Sequence, residues 1–249
     1  MFWNAFAMKW KSPEFLKGVQ SPIEGERAFR SEYPQKIIIG VDEVGRGPLA
    51  GPVVACAAVL KEGILDSALK DSKKLSRIKR EAMYEQIQSE CLCYAIASAS
   101  VREIDQMNIL DADFLAMRRA LNALGVQGLA VSEPELPIVS SGKLPSGIQV
   151  VIAVDGNLKI RGVPPETQVA VVKGDALVAS ISAASILAKV FRDRYMDALA
   201  LKYPGYAFEK NAGYGTKAHL DGIRKFGMTP EHRQSFHPKS LQVEMELRD

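Results

Sequence analysis

Two adjacent carboxylates, Asp42 and Glu43, follow directly on a run of apolar, mostly β-branched residues at 37–41. Such a run predicts a buried strand, so the two acids lie at its end or just beyond it. Carboxylates in that position cost several kcal/mol unless they are paired or bound to a cation. The pair therefore indicates a metal site rather than a solvated surface.

The acidic pair is followed by Arg46, which has a glycine on each side, Gly45 and Gly47. Glycines remove side-chain bulk, and this lets backbone N–H groups approach a ligand closely. The segment thus combines oxygen ligands for a hard cation with a cradle for a polar, phosphate-bearing molecule.

Two further acids occupy matching positions. Asp155 follows a predicted strand at 149–154, and Asp175 follows one at 168–172. Carboxylates favour Mg²⁺ or Mn²⁺ over zinc, and four of them at one end of a sheet could hold two cations for phosphoryl transfer. Taken singly, Asp155 could be a turn residue and Asp175 a helix N-cap. The same placement at three separate strands favours the metal site.

The rest of the pattern describes the elements that must position these acids. Strands alternate with helices up to about residue 202 and helices follow, which predicts an α/β sheet with flanking helices and a helical C-terminal portion. Residues 1–35 have no clear period and predict an extension that could be flexible, and residues 131–147 predict a surface loop. The other predicted elements are strands at 52–60 and 91–99, and helices at 76–90, from 100, at 111–124, at 176–201, at 216–227 and from 229.

Composition limits the class of protein. The chain has 249 residues, 47% of them hydrophobic, and a net charge of +3, which permits nucleic-acid binding without arguing for it. The three cysteines are too few for a disulfide framework and lack the spacing of a zinc site. No apolar run reaches the ~18 residues of a membrane span, and the N-terminus lacks the order of a signal peptide. We therefore expect a cytoplasmic protein with no membrane segment.

Several motifs, in order along the chain, resemble those of type 2 ribonucleases H, and specifically bacterial ribonuclease HII. They are residues 42–52, 71–75, 154–156, 173–175, 180–190 with Arg192 and Asp193, and 213–217 with His219. The resemblance covers residues 36–238, and the Gly45-Arg46-Gly47 tripeptide favours type HII over its sister type HIII. The chain departs from the family pattern at Asn211-Ala212, where His-Lys is common, in the long 131–147 loop and in residues 1–35.

The resemblance implies a ribonuclease H-like mixed β-sheet flanked by helices. Residues 36–202 would be the catalytic domain and residues 203–249 the helical substrate-binding portion. The implied activity is endonucleolytic hydrolysis of the RNA strand of RNA–DNA hybrids, together with cleavage 5′ of single ribonucleotides embedded in duplex DNA. The acids that would hold Mg²⁺ or Mn²⁺ and carry out catalysis are Asp42, Glu43, Asp155 and Asp175. The implied oligomeric state is a monomer.

The resemblance also implies contacts with the substrate. The backbone of the glycine–arginine–glycine turn would read the ribose 2′-hydroxyl, the group that distinguishes RNA from DNA. Tyr214 would stack beside the sugar that follows the ribonucleotide, although it could be an ordinary loop aromatic. Ser72 and Lys73 would contact phosphates, although a solvated loop is equally consistent with the sequence. The residues expected to bind substrate are therefore Gly45, Arg46, Gly47, Ser72, Lys73 and Tyr214.

Two other functions fit parts of the sequence. A non-catalytic protein could read the shape of a hybrid, but carboxylates without a cation repel phosphate. A different phosphoryl-transfer enzyme, such as a junction resolvase or integrase, could use the same acids without a 2′-hydroxyl reader. The three histidines are too few and scattered for a zinc site, so we expect structural or substrate-proximal roles for them.

Overall fold

The structure is a computed structural model that describes residues 12–61 and 77–236. Its strands are β1 (Ile37–Val44), β2 (Val53–Leu60), β3 (Cys91–Ala99), β4 (Val139–Ser141), β5 (Val150–Asp155) and β6 (Gln168–Val171). Its helices are α1 (Pro22–Glu32), α2 (Arg77–Glu90), α3 (Val101–Met107), α4 (Ile109–Ala123), α5 (Gly174–Leu177), α6 (Ala179–Lys202), α7 (Phe208–Asn211) and α8 (Lys217–Phe226). Within these residues, no helix combines the length and apolarity that crossing a bilayer requires.

The six strands form one mixed sheet in the order β4-β3-β2-β1-β5-β6. Strand β1 pairs antiparallel with β2 and parallel with β5, and β6 continues the parallel half. An antiparallel partner can follow after a short loop, whereas a parallel partner needs a long crossover, here through helices that cover the sheet. The predicted mixed sheet with flanking helices is confirmed.

Helix α6 packs on one face of the sheet, against β1 and β2. Gly40 of β1 lies directly beneath the start of this helix, and a Cβ atom at position 40 would overlap the backbone of Ser180. Only glycine allows such a close approach. The strand that carries Asp42 and Glu43 is therefore in backbone contact with α6.

Helix α4 covers the opposite face, against β2 and β3. Its apolar face, which includes Phe114 and Leu121, packs into the largest hydrophobic core of the molecule. Asn108 begins the helix with φ +84° and accepts the first backbone N–H groups on its side chain. The preceding helix, α3, begins where the sequence predicts a helix start, with a capping box formed by Ser100 and Glu103.

Two helix predictions at the C-terminal side of the sheet are wrong. The helix predicted at 176–201 is interrupted, because Val178 has extended dihedrals (φ −133°, ψ 125°) between α5 and α6. The short helix predicted from Thr229 is instead a turn that ends in an isolated bridge between His232 and Ala50. Both segments are shaped by tertiary contacts, which override local helix propensity.

The structure also adds order to two segments in which the sequence showed no period. Helix α1 begins at the N-cap Ser21 and buries Phe29, and the carboxylate of Glu26 accepts the backbone N–H of Ser180. Strand β4 lies inside the predicted 131–147 loop and pairs with β3, so that β4 forms one edge of the sheet. The N-terminal segment therefore helps to hold the start of α6 in place, while the proposed domain boundaries stay a prediction.

Candidate active site

The two acids of the first motif lie within β1 rather than beyond it. Successive side chains of a strand point to opposite faces of the sheet. Asp42 meets α6, where the hydroxyl of Ser185 hydrogen-bonds to its carboxylate. Glu43 meets the other side, where its Oε1 lies 3.6 Å from Nη1 of Arg46. The acidic pair thus spans the end of the sheet.

The register of the parallel strands brings Asp155 beside this pair. Val41 of β1 is aligned with Val154 of β5, so the next residues, Asp42 and Asp155, lie at the same level of adjacent strands. Asp175 joins them, because its backbone N–H donates to Oδ1 of Asp155 at 3.3 Å. The structure therefore brings together all four acids that the sequence singled out.

Electrostatic repulsion marks this cluster. Burial raises the pKa of Asp42 well above its usual range, and the nearby carboxylates of Glu43 and Asp155 raise it further. Burial also raises the pKa of Glu43; Arg46 opposes this rise and Asp155 adds to it. Such mutual repulsion in a buried position is relieved by a cation.

A fifth carboxylate, which the sequence did not single out, belongs to the same cluster. Asp113 of α4 is 1% exposed, and its Oδ2 lies 3.6 Å from Nε of Arg46. Its Oδ1 has no hydrogen-bond partner among the described residues. Burial raises the pKa of Asp113 to about 8, with Glu43 adding to the rise and Arg46 opposing it. The available signal was its position on the apolar face of an amphipathic helix, with Ala116 and Met117 beside it.

The donor chemistry of the cluster fits a hard divalent cation. Glu43, Asp113 and Asp155 line a cavity of about 50 Å³ together with Arg46 and Asn157. Crowded carboxylate oxygens are the ligands that Mg²⁺ and Mn²⁺ prefer. Within residues 12–61 and 77–236, no three His, Cys, Asp or Glu side chains already form a closed ligand set.

The glycine turn lies directly after these acids. Gly45 has φ +96°, a conformation that favours glycine, and a Cβ atom there would collide with the side chain of Arg192. At Gly47, the nearest atom to an added Cβ would be Cε1 of Tyr214, at 3.4 Å. The turn that is predicted to read the ribose therefore lies beside the tyrosine that is predicted to stack on the next sugar.

Two buried arginines hold the backbone of this region. Arg233 donates to the carbonyl oxygens of Gly45, Arg46 and Gly51 at 2.5–3.0 Å. Because each of these bonds orients a peptide group, the conformation of the turn is set before any substrate arrives. The sequence alone assigned Arg233 no role.

Arg192 supports the adjoining backbone in the same way. It donates to the carbonyl oxygens of Pro52, Ala212 and Ala50 at 2.9–3.0 Å. Arg192 is fully buried, so its guanidinium group is committed to these carbonyl oxygens. It therefore joins the glycine turn to the loop before Tyr214.

Tyr214 lies at the tip of a second turn, with its side chain 47% exposed. The two turns are joined directly, because the N–H of Leu49 donates to the carbonyl of Gly213 at 2.8 Å. Asn211, one of the departures from the family pattern, is buried and closes this second turn through bonds to Tyr206 and Gly213. The remaining predicted contacts, Ser72 and Lys73, lie outside the described residues.

Comparisons with known proteins point to one family. A family model described as Ribonuclease HII matches residues 39–240. A ribonuclease HII of Ralstonia nicotianae is 48% identical over 219 residues, covering 88% of this chain and 82% of the relative. Ribonuclease H2 of Pyrococcus horikoshii superposes with a TM-score of 0.62 at 26% identity, covering 85% of this chain and 99% of the other. A Bst ribonuclease HIII in complex with Mn²⁺ superposes with a TM-score of 0.59 at 21% identity, covering 86% and 71%.

These matches extend over most of the chain and include the strands, the glycine turn and the second turn. The relative from Ralstonia is named ribonuclease HII, and the solved structures show the same ribonuclease H-like fold. The chain therefore belongs to the ribonuclease HII family, which comprises metal-dependent type 2 ribonucleases H, endonucleases that hydrolyse the RNA of RNA–DNA hybrids.

Proposed function

We propose that this protein cleaves hybrid RNA and also cuts on the 5′ side of single ribonucleotides embedded in duplex DNA, leaving 3′-hydroxyl and 5′-phosphate ends. The observation that carries this proposal is the continuity of the acids with the glycine turn. Glu43 is two residues from Gly45, and the side chain of Arg46 lies 3.6 Å from both Glu43 and Asp113. A ribose held on the turn would thus have its phosphate beside the carboxylates.

The proposed metal ligands are Asp42, Glu43, Asp155 and Asp175, holding two Mg²⁺ or Mn²⁺ ions. When bound, such cations activate water and neutralise charge on the phosphate and the leaving 3′-oxygen. The Mn²⁺ in the Bst ribonuclease HIII, which shares this fold, supports Mn²⁺ as one candidate. The chain's own contribution is to hold the carboxylates, and Ser185 and the N–H of Glu43 orient Asp42.

Recognition of the ribonucleotide would depend on backbone rather than on base contacts. The peptide groups at 45–47 would meet the 2′-hydroxyl, which can both donate and accept a hydrogen bond. Tyr214, adjacent to Gly47, would stack on the sugar that follows. Ser72 and Lys73 would contact phosphate. We further propose that the protein acts as a cytoplasmic monomer on a hybrid or on a ribonucleotide-containing duplex.

The test compares three end-labelled duplexes of one sequence: all DNA, DNA with a single ribonucleotide, and an RNA–DNA hybrid. Each is incubated with Mg²⁺, with Mn²⁺ or with EDTA. We expect the hybrid to be cut at many positions and the second duplex to be cut once, 5′ of the ribonucleotide, with no cleavage of the all-DNA duplex or in EDTA.

Two outcomes would contradict the proposal. Equal cleavage of the all-DNA duplex would indicate a general phosphoryl-transfer nuclease without a 2′-hydroxyl reader. Hybrid binding that persists in EDTA, with no cleavage under either cation, would indicate a protein that reads the shape of the hybrid without catalysis.

A further inference from the structure

Two buried histidines face each other beneath the turn that carries Tyr214. His219, on α8, is 0% exposed, and His232, in the turn after that helix, is 1% exposed. Their Nε2 atoms are 3.0 Å apart, which is hydrogen-bond distance. A contact between two ring nitrogens requires that one ring donates and the other accepts, so the positions of the ring protons are constrained.

The groups that hydrogen-bond to the outer ends of the histidine pair determine which ring donates to the other. The backbone N–H of Thr229 can only donate, and it lies 2.9 Å from Nδ1 of His232. His232 must therefore carry its proton on Nε2 and donate it to Nε2 of His219. His219 then carries its own proton on Nδ1, which lies 2.9 Å from the carbonyl oxygen of Tyr214. The chain of hydrogen bonds runs from Thr229 to Tyr214.

This direction requires that both rings are neutral. Burial lowers the pKa of His232 to about 4, with His219 adding to the fall, and burial also lowers the pKa of His219. The aromatic rings of Tyr206 and Phe208 pack against the pair, with Phe208 5.1 Å from His219 between ring centroids. A closed apolar surrounding strengthens each hydrogen bond and makes an unpaired nitrogen costly.

The hydrogen-bond chain ends at the peptide that joins Tyr214 to Gly215. Its carbonyl oxygen also accepts the N–H of Thr216 at 2.7 Å, so both of its lone pairs are used. The neighbouring carbonyl of Gly213 accepts the N–H of Leu49, at the end of the glycine turn. The peptide that the histidines hold therefore directly follows the peptide that joins this loop to the glycine turn.

We propose that His219 and His232 are positioning residues for substrate selection: their hydrogen-bond chain fixes the Tyr214 peptide and so sets where the tyrosine meets the sugar beside the ribonucleotide. Neither histidine touches substrate, and the effect is transmitted through Tyr214. The inference rests on the proposed function, because it assumes that Tyr214 contacts the substrate.

Two variants of His219 separate this role from a merely structural one. In His219→Asn the amide nitrogen takes the place of Nδ1, so the bond to Tyr214 is kept and the bond to His232 is lost. In His219→Gln the amide oxygen reaches the place of Nε2 and accepts the hydrogen bond from His232. The bond to Tyr214 is lost. Each variant loses one buried hydrogen bond, and we expect similar falls in thermal unfolding midpoint.

Their kinetics should differ. For a duplex with a single ribonucleotide, we expect His219→Gln to raise KM about tenfold, the size of one lost hydrogen bond, with a much smaller change in kcat. His219→Asn should remain within about threefold of wild type in KM. Equal changes in KM for the two variants, in step with equal losses of stability, would overturn the inference.

A second measurement needs no variant and no cleavage. Nitrogen-15 NMR of the histidine rings in the wild-type protein should show protonated Nδ1 in His219 and protonated Nε2 in His232. The opposite tautomers, or a charged ring at neutral pH, would overturn the inference even if the protein cleaves as proposed. A wild type that cuts no ribonucleotide-containing strand would overturn the proposed function, and the positioning role with it.

Discussion

The two halves of the candidate site satisfy their buried polar groups in opposite ways. At the acid end, Glu43 adds to the cost of ionising both Asp42 and Asp113, and Oδ1 of Asp113 has no hydrogen-bond partner among the described residues. At the turn end, Arg192 and Arg233 are matched to backbone carbonyl oxygens. The acid end depends on an added charge, whereas the turn end is complete by itself.

The difference fits the ligands that we propose for the two halves. A cation supplies the charge that neutralises crowded carboxylates, so those residues can be left unbalanced until it binds. A 2′-hydroxyl brings no charge, so the surface that recognises it must be built in advance. Burial lowers the pKa of Arg192 to about 10 and that of Arg233 to about 9, and both guanidinium groups are still charged at neutral pH.

The largest expected effect is at the acid end. Asp42→Asn removes one charge from the proposed cation site and should lower the cleavage rate by at least about a hundredfold, as expected when one preorganised electrostatic group is lost. Hybrid binding should be largely kept, because the turn end is untouched. Cleavage of a labelled hybrid in Mg²⁺ and a binding titration measure the two effects.

Asp197→Asn, a change on the outer part of α6, is the control and should cleave like wild type. Unchanged turnover in Asp42→Asn would remove this carboxylate from the site. Loss of cleavage together with loss of hybrid binding would mean that the two ends are not separable.

The next effect is at the turn end and concerns stability. Arg233→Met leaves three carbonyl oxygens, those of Gly45, Arg46 and Gly51, without their donor. An unsatisfied buried polar group costs about 1–3 kcal/mol, so we expect the free energy of unfolding to fall by about 3 kcal/mol or more. Urea denaturation provides the measurement.

Arg102→Met is the matched control, because this arginine is largely exposed and pairs loosely with Glu135 at 3.7 Å. It should change stability by less than about 0.5 kcal/mol. If Arg233→Met were as mild as this control, the turn end would not depend on its buried donors, and the contrast between the two halves would fail.

The smallest effect tests how costly it is to ionise a buried carboxyl group at the acid end. The pKa of Asp113 is about 8 in the folded protein and 3.8 as its reference value. Between those pH values the folded state keeps a proton that the unfolded chain has released. The stability of the wild-type protein, in which Asp113 can ionise, therefore falls as pH rises. The free energy of unfolding of Asp113→Asn, relative to that of wild type, should therefore increase by about 1 kcal/mol as the pH rises from about 6 to about 7.

Urea denaturation of both proteins in EDTA at the two pH values checks this gain. The chelator matters, because a bound cation would stabilise the ionised carboxylate and hide the effect. A stability difference that is the same at both pH values would show that the pKa of Asp113 is not raised in the folded protein.

The acid end was largely predictable from sequence, because its signals are local. A strand with a carboxylate at its end is visible in a short window, and three such strands predict convergence at one end of a sheet. Asp113 was missed because it reaches the cluster from a helix on the other face of the sheet, through a contact that no local pattern records. The regular spacing of apolar residues in its helix indicates a packing face, so the acid on that face was not singled out.

The turn end was predictable only in part. The glycines and Tyr214 are conspicuous by type, but their supports come from distant segments: Arg192 from α6, and His232 and Arg233 from the C-terminal turn. The sequence predicted a helix from Thr229, whereas this segment forms a turn whose backbone pairs with Ala50. Such supports depend on which segments meet in three dimensions.

Gly40 has a mechanical consequence for the catalytic end. With no side chain between them, β1 and the start of α6 have no layer of atoms that could compress or slide. The carboxylate of Asp42 and the hydroxyl of Ser185 must then move as parts of one rigid body. Any adjustment to duplexes of different width would therefore have to come from the loops and not from the strand that carries Asp42.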